Sequence, residues 1–301
     1  MTDRAVRIAA HAKVNLFLRV LAKEHDGFHA VETLLCLVDL ADELVLSRGG
    51  APGNVALEVD GPDTGPAEEN LAVRAASMVL AATNNRFGVE LRLTKRIPVA
   101  AGLGGGSSDA AAALLGTNAL AGGVVPLHEL LQFAARLGSD VPFFLTRTPL
   151  AIGWGRGERL LALPPLPACP GLLVSSPTGI RTTDAYGWVD EVRADEGRRG
   201  AVALTLDALS TWGDVARMAG NDFESAVFGH RPELHDAFEA LAETRPLTCR
   251  LSGSGATIFG LFRSERDRDD ARSVLGRRHG ALTPVWTLSA PPMGPEPLPS
   301  E

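Results

Sequence analysis

A glycine-rich segment near the middle of the chain constrains the fold more than any other feature. Four glycines and two serines precede an alanine-rich run that ends at Leu115. Glycine adopts positive φ and lets the backbone approach a ligand closely, and a helix N-terminus presents unpaired N–H donors. The segment therefore predicts a phosphate-binding loop in front of a helix, with a flexible loop that only caps the helix as the alternative. Its residues are Pro98, Val99, Ala100, Ala101, Gly102, Leu103, Gly104, Gly105, Gly106, Ser107 and Ser108.

Two familiar phosphate-binding loops are excluded by their spacing. The P-loop requires GxxxxGK[ST], and no glycine of this chain is followed by lysine. The dinucleotide fingerprint GxGxxG fails because Ser107 stands where the third glycine is required. Phosphate binding by this segment therefore requires a different kind of loop.

Lys13 and Asn15 lie two residues apart in a strand-like segment near the N-terminus. Alternate residues of a strand share a face, so the two side chains point the same way. Together they have the chemistry to hold a phosphate and a substrate hydroxyl. The alternative is an ordinary polar face on a half-exposed strand.

Two further segments carry polar chemistry with a structural alternative. Asp140 lies between Gly138 and Pro142, which is typical of a helix cap or a turn, and also of a carboxylate held rigidly towards a substrate hydroxyl. The segment Ser252-Gly253-Ser254-Gly255 lies between two strand-like segments and is by itself compatible with a plain hairpin.

Composition and charge exclude several classes of function. The chain has 29 basic and 36 acidic side chains and a formal net charge of −7, so it lacks the basic surface that a nucleic-acid-binding protein needs. Its densest basic stretch, residues 263–278, is interrupted by acidic residues and predicts a solvated helix face. The histidines show no zinc-ligand spacing. No apolar stretch reaches the roughly 20 residues that a membrane span needs.

The cysteines and the N-terminal segment predict a reducing, cytoplasmic environment. Cys36, Cys169 and Cys249 are far apart and form no CxxC pair, which predicts three free, buried thiols. The N-terminal segment has no apolar core followed by a small-residue cleavage site, so no export signal is expected.

Strand-like and helix-like segments are mixed along both halves of the chain, which predicts an α+β fold. Strands are predicted at 5–10, 12–21, 31–37, 44–47, 89–93, 172–175, 248–252, 257–262 and 284–288. Helices are predicted at 68–82, 127–137, 183–192, 233–243 and 265–275, besides the one after the glycine loop. We expect a turn at Asp26-Gly27, a loop at 195–200 and a loose proline-rich tail from Pro291. The glycine- and proline-containing stretch 149–170 predicts a seam between two domains, 1–152 and 153–301.

Taken together, these segments resemble the GHMP kinases, the family named for galacto-, homoserine, mevalonate and phosphomevalonate kinases. The glycine-rich segment is similar to the family's ATP-phosphate motif, and residues 252–255 are similar to its C-terminal glycine motif. The resemblance runs from about residue 9 to residue 262. It implies a two-domain α+β kinase with the active site in the cleft between the domains, ATP as phosphoryl donor, and Mg²⁺ bridging the phosphate oxygens.

The resemblance extends to one branch of the family, whose members phosphorylate the 2-hydroxyl of 4-(cytidine 5′-diphospho)-2-C-methyl-D-erythritol in the non-mevalonate route to isoprenoid precursors. An Asp-Gly-aromatic-His element after the first strand distinguishes this branch from homoserine and mevalonate kinases. The segments that carry the resemblance are 12–18, 26–29, 69–71, 95–98, 102–108, 138–142, 155–158 and 221–224.

The resemblance assigns roles around the phosphates. Asp140 matches the family's catalytic aspartate and Lys13 its catalytic lysine. Such a carboxylate orients or deprotonates the attacking hydroxyl, and such an ammonium offsets charge on the transferring phosphoryl group. Asn70, Lys95 and Arg96 fall where the family approaches the nucleotide.

The resemblance also implies a cytosine pocket. His29 would bind the base through hydrogen bonds and Phe28 and Tyr186 would stack on it, with Asn15 and Thr182 nearby. Phe28 departs from the pattern, because the family more often has tyrosine there. Phenylalanine can still stack on the base, but it lacks the hydroxyl through which tyrosine could make a further contact. Residues 181–186 match more loosely than the N-terminal motifs.

The sequence leaves two alternatives to this function. One is another GHMP small-molecule kinase, of the mevalonate or sugar type, and the other is a catalytically silent nucleotide-binding sensor. The cytosine-pocket residues argue against the first, and the presence of Lys13 and Asp140 argues against the second. Only three of the 29 basic residues are lysines, namely Lys13, Lys23 and Lys95. Two of these fall in the proposed site, where a compact ammonium suits a phosphoryl oxygen better than a planar guanidinium.

Overall fold

The computed structural model describes residues 5–25, 27–193, 204–276 and 278–299. In these ranges the strands are β1 (Ala5–Lys23), β2 (His29–Arg48), β3 (Val55–Asp60), β4 (Val89–Thr94), β5 (Leu150–Gly155), β6 (Arg159–Ala162), β7 (Pro170–Ser175), β8 (Gly220–Asn221), β9 (Thr248–Ser252), β10 (Thr257–Leu261), β11 (Ala281–Trp286) and β12 (Glu296–Pro297). The α-helices are α1 (Leu71–Ala82), α2 (Gly105–Leu120), α3 (Leu127–Leu137), α4 (Val141–Thr146), α5 (Thr182–Arg193), α6 (Trp212–Met218), α7 (Glu224–His230), α8 (Pro232–Glu243) and α9 (Glu265–Leu275).

The first sheet is built on the long antiparallel pair of β1 and β2. Its order is β12-β1-β2-β4-β3, and β5 and β8 add to β2 and β1 respectively. The pairing shifts register between His11 and Lys13 and again between Asn15 and Phe17. Such bulges bend and twist a strand and redirect its side chains. The bend allows one continuous strand to replace the two that were predicted at 5–10 and 12–21.

The second sheet has the order β11-β7-β10-β9 and is antiparallel throughout. One apolar cluster packs α1, α2 and α3 against the first sheet, and a second joins the inner faces of the two sheets through residues such as Val14, Leu34 and Phe259. A third packs α5, α7 and α8 on the second sheet. This mixture of helices and two sheets confirms the predicted α+β fold.

Most predicted elements are present with small changes at their ends. The helices at 127–137 and 265–275 have the predicted bounds, whereas α1 begins only at Leu71 because Asn70 caps it through Oδ1 and the N–H of Ala72 (2.9 Å). The segments 31–37 and 44–47 belong to one strand, β2. The tail from Pro291 is not wholly loose, because β12 pairs with β1. Asp26 and the predicted loop at 195–200 lie outside the described residues.

The predicted seam at 149–170 contains β5 and β6, which extend the first sheet from β2. The division between residues 152 and 153 falls inside β5 and stays a prediction. The three cysteines are free and buried, as predicted. Among the residues described above, no helix has the length and apolar character required to cross a membrane.

Candidate active site

Lys13 and Asp140 face each other inside a cavity of about 940 Å³. Lys13 Nζ lies 3.7 Å from Asp140 Oδ2, although the two residues are distant in sequence. The lysine is only 3% exposed, whereas the carboxylate side chain keeps 35% of its surface exposed. The pair therefore presents a buried ammonium and an accessible carboxylate to the same space.

The buried ammonium of Lys13 is held by two further acceptors. It donates to Asn15 Oδ1 at 2.6 Å and to the main-chain oxygen of Gly102 at 2.8 Å. Asn15 is fixed in turn, since its Nδ2 donates to Thr33 Oγ1 and that hydroxyl donates to the main-chain oxygen of Phe17, both at 2.8 Å. These contacts confine Lys13 Nζ to one position within reach of Asp140.

Burial lowers the pKa of Lys13 below its usual value, because removal from water penalises the charged form, and the nearby carboxylate of Asp140 offsets this only in part. Asp140 immediately precedes α4, and its side chain makes no capping hydrogen bond to that helix. The turn that contains Gly138 and Pro142 thus orients the carboxylate of Asp140, and the carboxylate is not used to cap the helix.

The glycine-rich loop leads into α2 as the sequence predicts. Gly104 is the N-cap residue, with φ of +72°, and it has no side chain that could cap the helix. In the part of the chain that the structure describes, the N–H groups of Gly105, Gly106 and Ser107 therefore have no side-chain acceptor at the positive end of this 16-residue helix. These residues line the cavity. This arrangement is a physical basis for anion binding.

The two glycine motifs are in direct contact. Ser252 Oγ donates to the Gly102 main-chain oxygen at 2.9 Å, the same oxygen that accepts from Lys13. A Cβ at Gly102 would lie 2.1 Å from the main-chain oxygen of Ser252, which explains the need for glycine there. Asn221 Nδ2 fixes the second turn by donating to the main-chain oxygens of Leu251 and Gly253, both at 2.7 Å.

Lys95 lies below the loop as part of a buried ionic cluster. Its Nζ contacts Asp42 Oδ2 and lies 2.9 Å from Asp109 Oδ2. Burial alone would lower the pKa of Lys95, but the two carboxylates outweigh it and the net change is upward. Burial and the neighbouring Asp42 raise the pKa of Asp109 to about 7, against the opposing effect of Lys95. Asp42 also accepts from the main-chain N–H groups of residues 96 and 97, at 2.5 and 2.8 Å.

An aromatic and ionic cluster lies at the other end of the cavity. The rings of His29 and Tyr186 stack with centroids 4.8 Å apart, and Tyr186 meets Phe223 edge-on at 4.9 Å. Phe28 is 56% exposed, and the guanidinium of Arg156 lies 4.2 Å from its ring centroid. Burial, with a smaller effect from Asp140, raises the pKa of Tyr186 to about 12. These rings form an apolar wall beside the Lys13–Asp140 pair.

Most of the residues singled out from the sequence line this one cavity. These are Lys13, Asn15, Phe28, His29, Asn70, Lys95, Pro98, Val99, Ala100, Ala101, Gly102, Leu103, Gly104, Gly105, Gly106, Ser107, Asp140, Thr182 and Tyr186. Ser108 and Arg96 do not line it. Ser108 is buried at the first turn of α2, and the Arg96 side chain is exposed, on the opposite side of the chain from Lys95. The roles of all these residues stay predictions.

Sequence reasoning missed several cavity residues. Asp190 lies one helical turn after Tyr186 on α5, a spacing that places both on one helix face and would have identified it. Lys23 also lines the cavity, so all three lysines of the chain do. Thr33 and Arg156 had no assigned role, because nothing local in the sequence shows which neighbours the fold gives them.

Comparisons with known proteins find matches to one kinase family in both halves of the chain. Residues 70–147 match the model of the GHMP kinases N terminal domain, and residues 205–282 match that of the GHMP kinases C terminal domain. The chain is 41% identical to a 4-diphosphocytidyl-2-C-methyl-D-erythritol kinase of Solibacter usitatus (strain Ellin6076), over 91% of this chain and 87% of that protein. It is 40% identical to the kinase of the same name from Pelotomaculum thermopropionicum, over 89% of this chain and 92% of that protein.

A solved structure is similar along nearly the whole chain. The crystal structure of a 4-(cytidine 5'-diphospho)-2C-methyl-D-erythritol kinase superposes with a TM-score of 0.76 at 35% identity, covering 93% of this chain and 98% of that one. Identity of this level over both halves of the fold confirms the resemblance found in the motifs. The chain therefore belongs to the GHMP kinase family, among the 4-diphosphocytidyl-2-C-methyl-D-erythritol kinases.

Proposed function

We propose that this protein transfers the γ-phosphoryl group of ATP to the 2-hydroxyl of 4-(cytidine 5′-diphospho)-2-C-methyl-D-erythritol, giving the 2-phosphate and ADP, in the non-mevalonate route to isoprenoid precursors. The observation that carries the proposal is the Lys13–Asp140 pair, 3.7 Å apart, between the N-terminus of α2 and an aromatic pocket. One cavity can thus bind the phosphates of the donor, the hydroxyl of the acceptor and the cytosine base of the acceptor.

ATP binds with its phosphates against the glycine loop. The N–H groups that begin α2 and the helix dipole stabilise the negative charge of the phosphates. Asn70 and Lys95 line the same end of the cavity and are our candidates for nucleotide contacts. We predict this role for Arg96 as well from the sequence, but its side chain is exposed and does not line the cavity.

The residues at the loop fit Mg²⁺ bound together with the nucleotide. Mg²⁺ prefers oxygen ligands and is usually held by one or two protein groups together with substrate phosphates. Ser107 offers a hydroxyl, and Asp109 has a buried Oδ1 that lacks a hydrogen-bond partner in the described part of the chain. These two residues would hold the ion. Bound there, Mg²⁺ would neutralise charge on the phosphate oxygens.

Asp140 and Lys13 act on the acceptor and on the transferring group. The carboxylate orients the substrate hydroxyl and takes its proton as the hydroxyl oxygen forms a bond to the γ-phosphorus. The bond from that phosphorus to the bridging oxygen breaks at the same time, and ADP leaves with those electrons. The Lys13 ammonium offsets the charge that spreads over the phosphoryl oxygens. Two hydrogen bonds, to Asn15 and Gly102, and the ion pair with Asp140 keep the ammonium in place without substrate.

The acceptor binds with its base at the aromatic end of the cavity. Phe28 and Tyr186 offer ring faces, and His29 offers hydrogen bonds. Asn15 accepts a hydrogen bond from Lys13 through Oδ1 and donates one to Thr33 through Nδ2. We therefore propose that it acts mainly by holding Lys13 in place. Thr182 lies 3.3 Å from Ser254, Oγ to Oγ, and is placed at the second glycine turn.

We also propose a cytoplasmic location, where ATP is available.

The test is an ADP-release assay with purified protein, Mg²⁺ and ATP. The cytidyl substrate should give ADP, whereas mevalonate and galactose should not. Activity with mevalonate or galactose instead would favour another kinase of the family. ATP binding without turnover of any of the three acceptors would favour a silent nucleotide sensor.

A further inference from the structure

Asp190 contacts both a predicted base-binding residue and a lysine at the mouth of the cavity. Its Oδ1 lies 2.6 Å from His29 Nε2, and its Oδ2 lies 2.5 Å from Lys23 Nζ. Asp190 follows Tyr186 by one turn of α5, so the helix that provides the stacking ring also provides this carboxylate. His29 is the first residue of β2, 161 positions away.

The contact with Asp190 determines which nitrogen of His29 carries the proton. An ionised carboxylate only accepts hydrogen bonds, so Nε2 must be the protonated nitrogen. A neutral imidazole has one N–H, which leaves Nδ1 as an acceptor. Nδ1 has no hydrogen-bond partner within the described residues, and His29 lines the cavity.

The surroundings keep both the carboxylate and the ring in this arrangement. Burial is the largest single effect on Asp190 and raises its pKa, but the hydrogen bonds and charges of its neighbours Lys23 and His29 together outweigh burial. The pKa of Asp190 therefore lies below its usual value, and the acceptor form persists. The ammonium of Lys23 pairs with the same carboxylate and balances its charge. The stack on Tyr186, with ring planes 13° apart, restricts rotation of the imidazole.

The two pyrimidine bases differ at the positions that an accepting nitrogen can distinguish. Cytosine has a 4-amino donor beside an N3 acceptor, whereas uracil has an O4 acceptor beside an N3–H donor. An accepting Nδ1 pairs with the 4-amino group and faces O4 of uracil lone pair to lone pair. A buried polar atom left without a partner weakens binding by roughly 1–3 kcal/mol, which is about 5- to 150-fold.

We propose that Asp190 is a positioning residue that holds His29 with its proton on Nε2, so that Nδ1 accepts from the 4-amino group of cytosine and the site selects cytosine over uracil. The inference rests on the proposed function, since it concerns the base of the same substrate. Asp190 acts through His29 and need not touch the substrate.

The experiment compares CDP and UDP binding by calorimetry in the wild type, Asp190→Ala, Asp190→Glu and Asp184→Ala. Asp184 lies on the same helix, pairs with Arg181 at 2.9 Å and does not line the cavity, so its variant is the matched control. The CDP:UDP affinity ratio should fall about 10-fold in Asp190→Ala. It should stay at the wild-type value in Asp184→Ala and be largely restored in Asp190→Glu, which keeps an accepting carboxylate.

Two further readouts separate positioning from a structural role. The ¹⁵N signals of His29 should show protonated Nε2 and unprotonated Nδ1 in the wild type, and a mixture of tautomers in Asp190→Ala. The KM for the cytidyl substrate should rise in that variant while kcat changes little. A wild-type CDP:UDP ratio in Asp190→Ala, or a protonated Nδ1 in the wild type, would overturn the inference. Absence of any phosphorylation by the wild type would instead overturn the proposed function, and the two failures are thereby distinguished.

Discussion

The side chain of Ser252 donates a hydrogen bond to the main-chain oxygen of Gly102, 150 residues earlier in the chain. This contact joins the two glycine motifs and places the glycine-rich loop against a turn of the second sheet. The same Gly102 oxygen accepts from Lys13. The position of the Lys13 ammonium thus depends on how the two glycine segments meet.

Replacement of Gly102 by alanine should therefore destabilise the fold. The residue has φ of +76°, and the new Cβ would lie 2.1 Å from the main-chain oxygen of Ser252. We expect a loss of about 2 kcal/mol or more in the free energy of unfolding, measured by urea denaturation. Gly106→Ala is the control for stability, because a Cβ there has no neighbour within 4 Å and alanine favours a helix. Equal unfolding midpoints for the two variants would contradict this account.

Replacement of Asp140 by asparagine should slow the chemical step. Asparagine keeps the shape of the side chain but cannot accept the hydroxyl proton, so kcat should fall about 100-fold or more. The affinity for ATP should change little, because no predicted phosphate contact is lost. Steady-state kinetics and nucleotide binding measured side by side provide the check, and a near wild-type kcat would make Asp140 a structural residue.

At alkaline pH, Lys13 should affect catalytic activity and stability in opposite directions. As pH rises, kcat should fall, whereas the contribution of Lys13 to stability should rise. Its pKa is lowered in the folded state mainly by burial, so kcat should fall as pH rises through that lowered value and the ammonium is lost. In the unfolded chain the lysine keeps its proton up to about pH 10.4. Between these two pH values the unfolded state binds more protons, so the contribution of Lys13 to stability rises with pH.

The difference between wild type and Lys13→Met isolates this effect. The free energy of unfolding of each protein is measured by urea denaturation across the alkaline range. The wild type should gain stability relative to Lys13→Met as pH rises. A constant difference in the free energy of unfolding between the two proteins across that range would show that burial does not lower the pKa of Lys13.

Asp42 should be required for stability because it is fully buried and satisfies three donors. It contacts Lys95 Nζ and accepts from the main-chain N–H groups of Arg96 and Ile97. Asp42→Ala leaves the two main-chain N–H groups unpaired and leaves Lys95 with Asp109 alone, so it should cost about 3–5 kcal/mol in the free energy of unfolding. Glu58→Ala is the control, since the exposed pair of Glu58 with Arg92 should be worth less than about 1 kcal/mol. Similar losses in both variants would refute the assigned role of Asp42.

The local features of the site could be predicted from the sequence because short-range geometry determines them. The loop at Gly102 and Gly104 requires positive φ, and the breaker-free run after it requires a helix, so the loop and the start of α2 could be located without knowing the fold. The bounds of α3 and α9 follow from their apolar periodicity and their end residues. The motifs then sufficed to identify the family.

Tertiary structure alone determined which distant residues meet. The bulges in β1, the pairing of Lys13 with Asp140 and the contact of Asp190 with His29 depend on how sheets and helices pack across long sequence separations. Packing just beyond the end of β4 likewise buries Lys95 and leaves Arg96 exposed. The sequence by itself determined the glycine loop before α2, the α+β class and the family, because these follow from local backbone preferences and motif order. The fold decided the partners of each charged group, because burial and pairing arise only when remote segments come together.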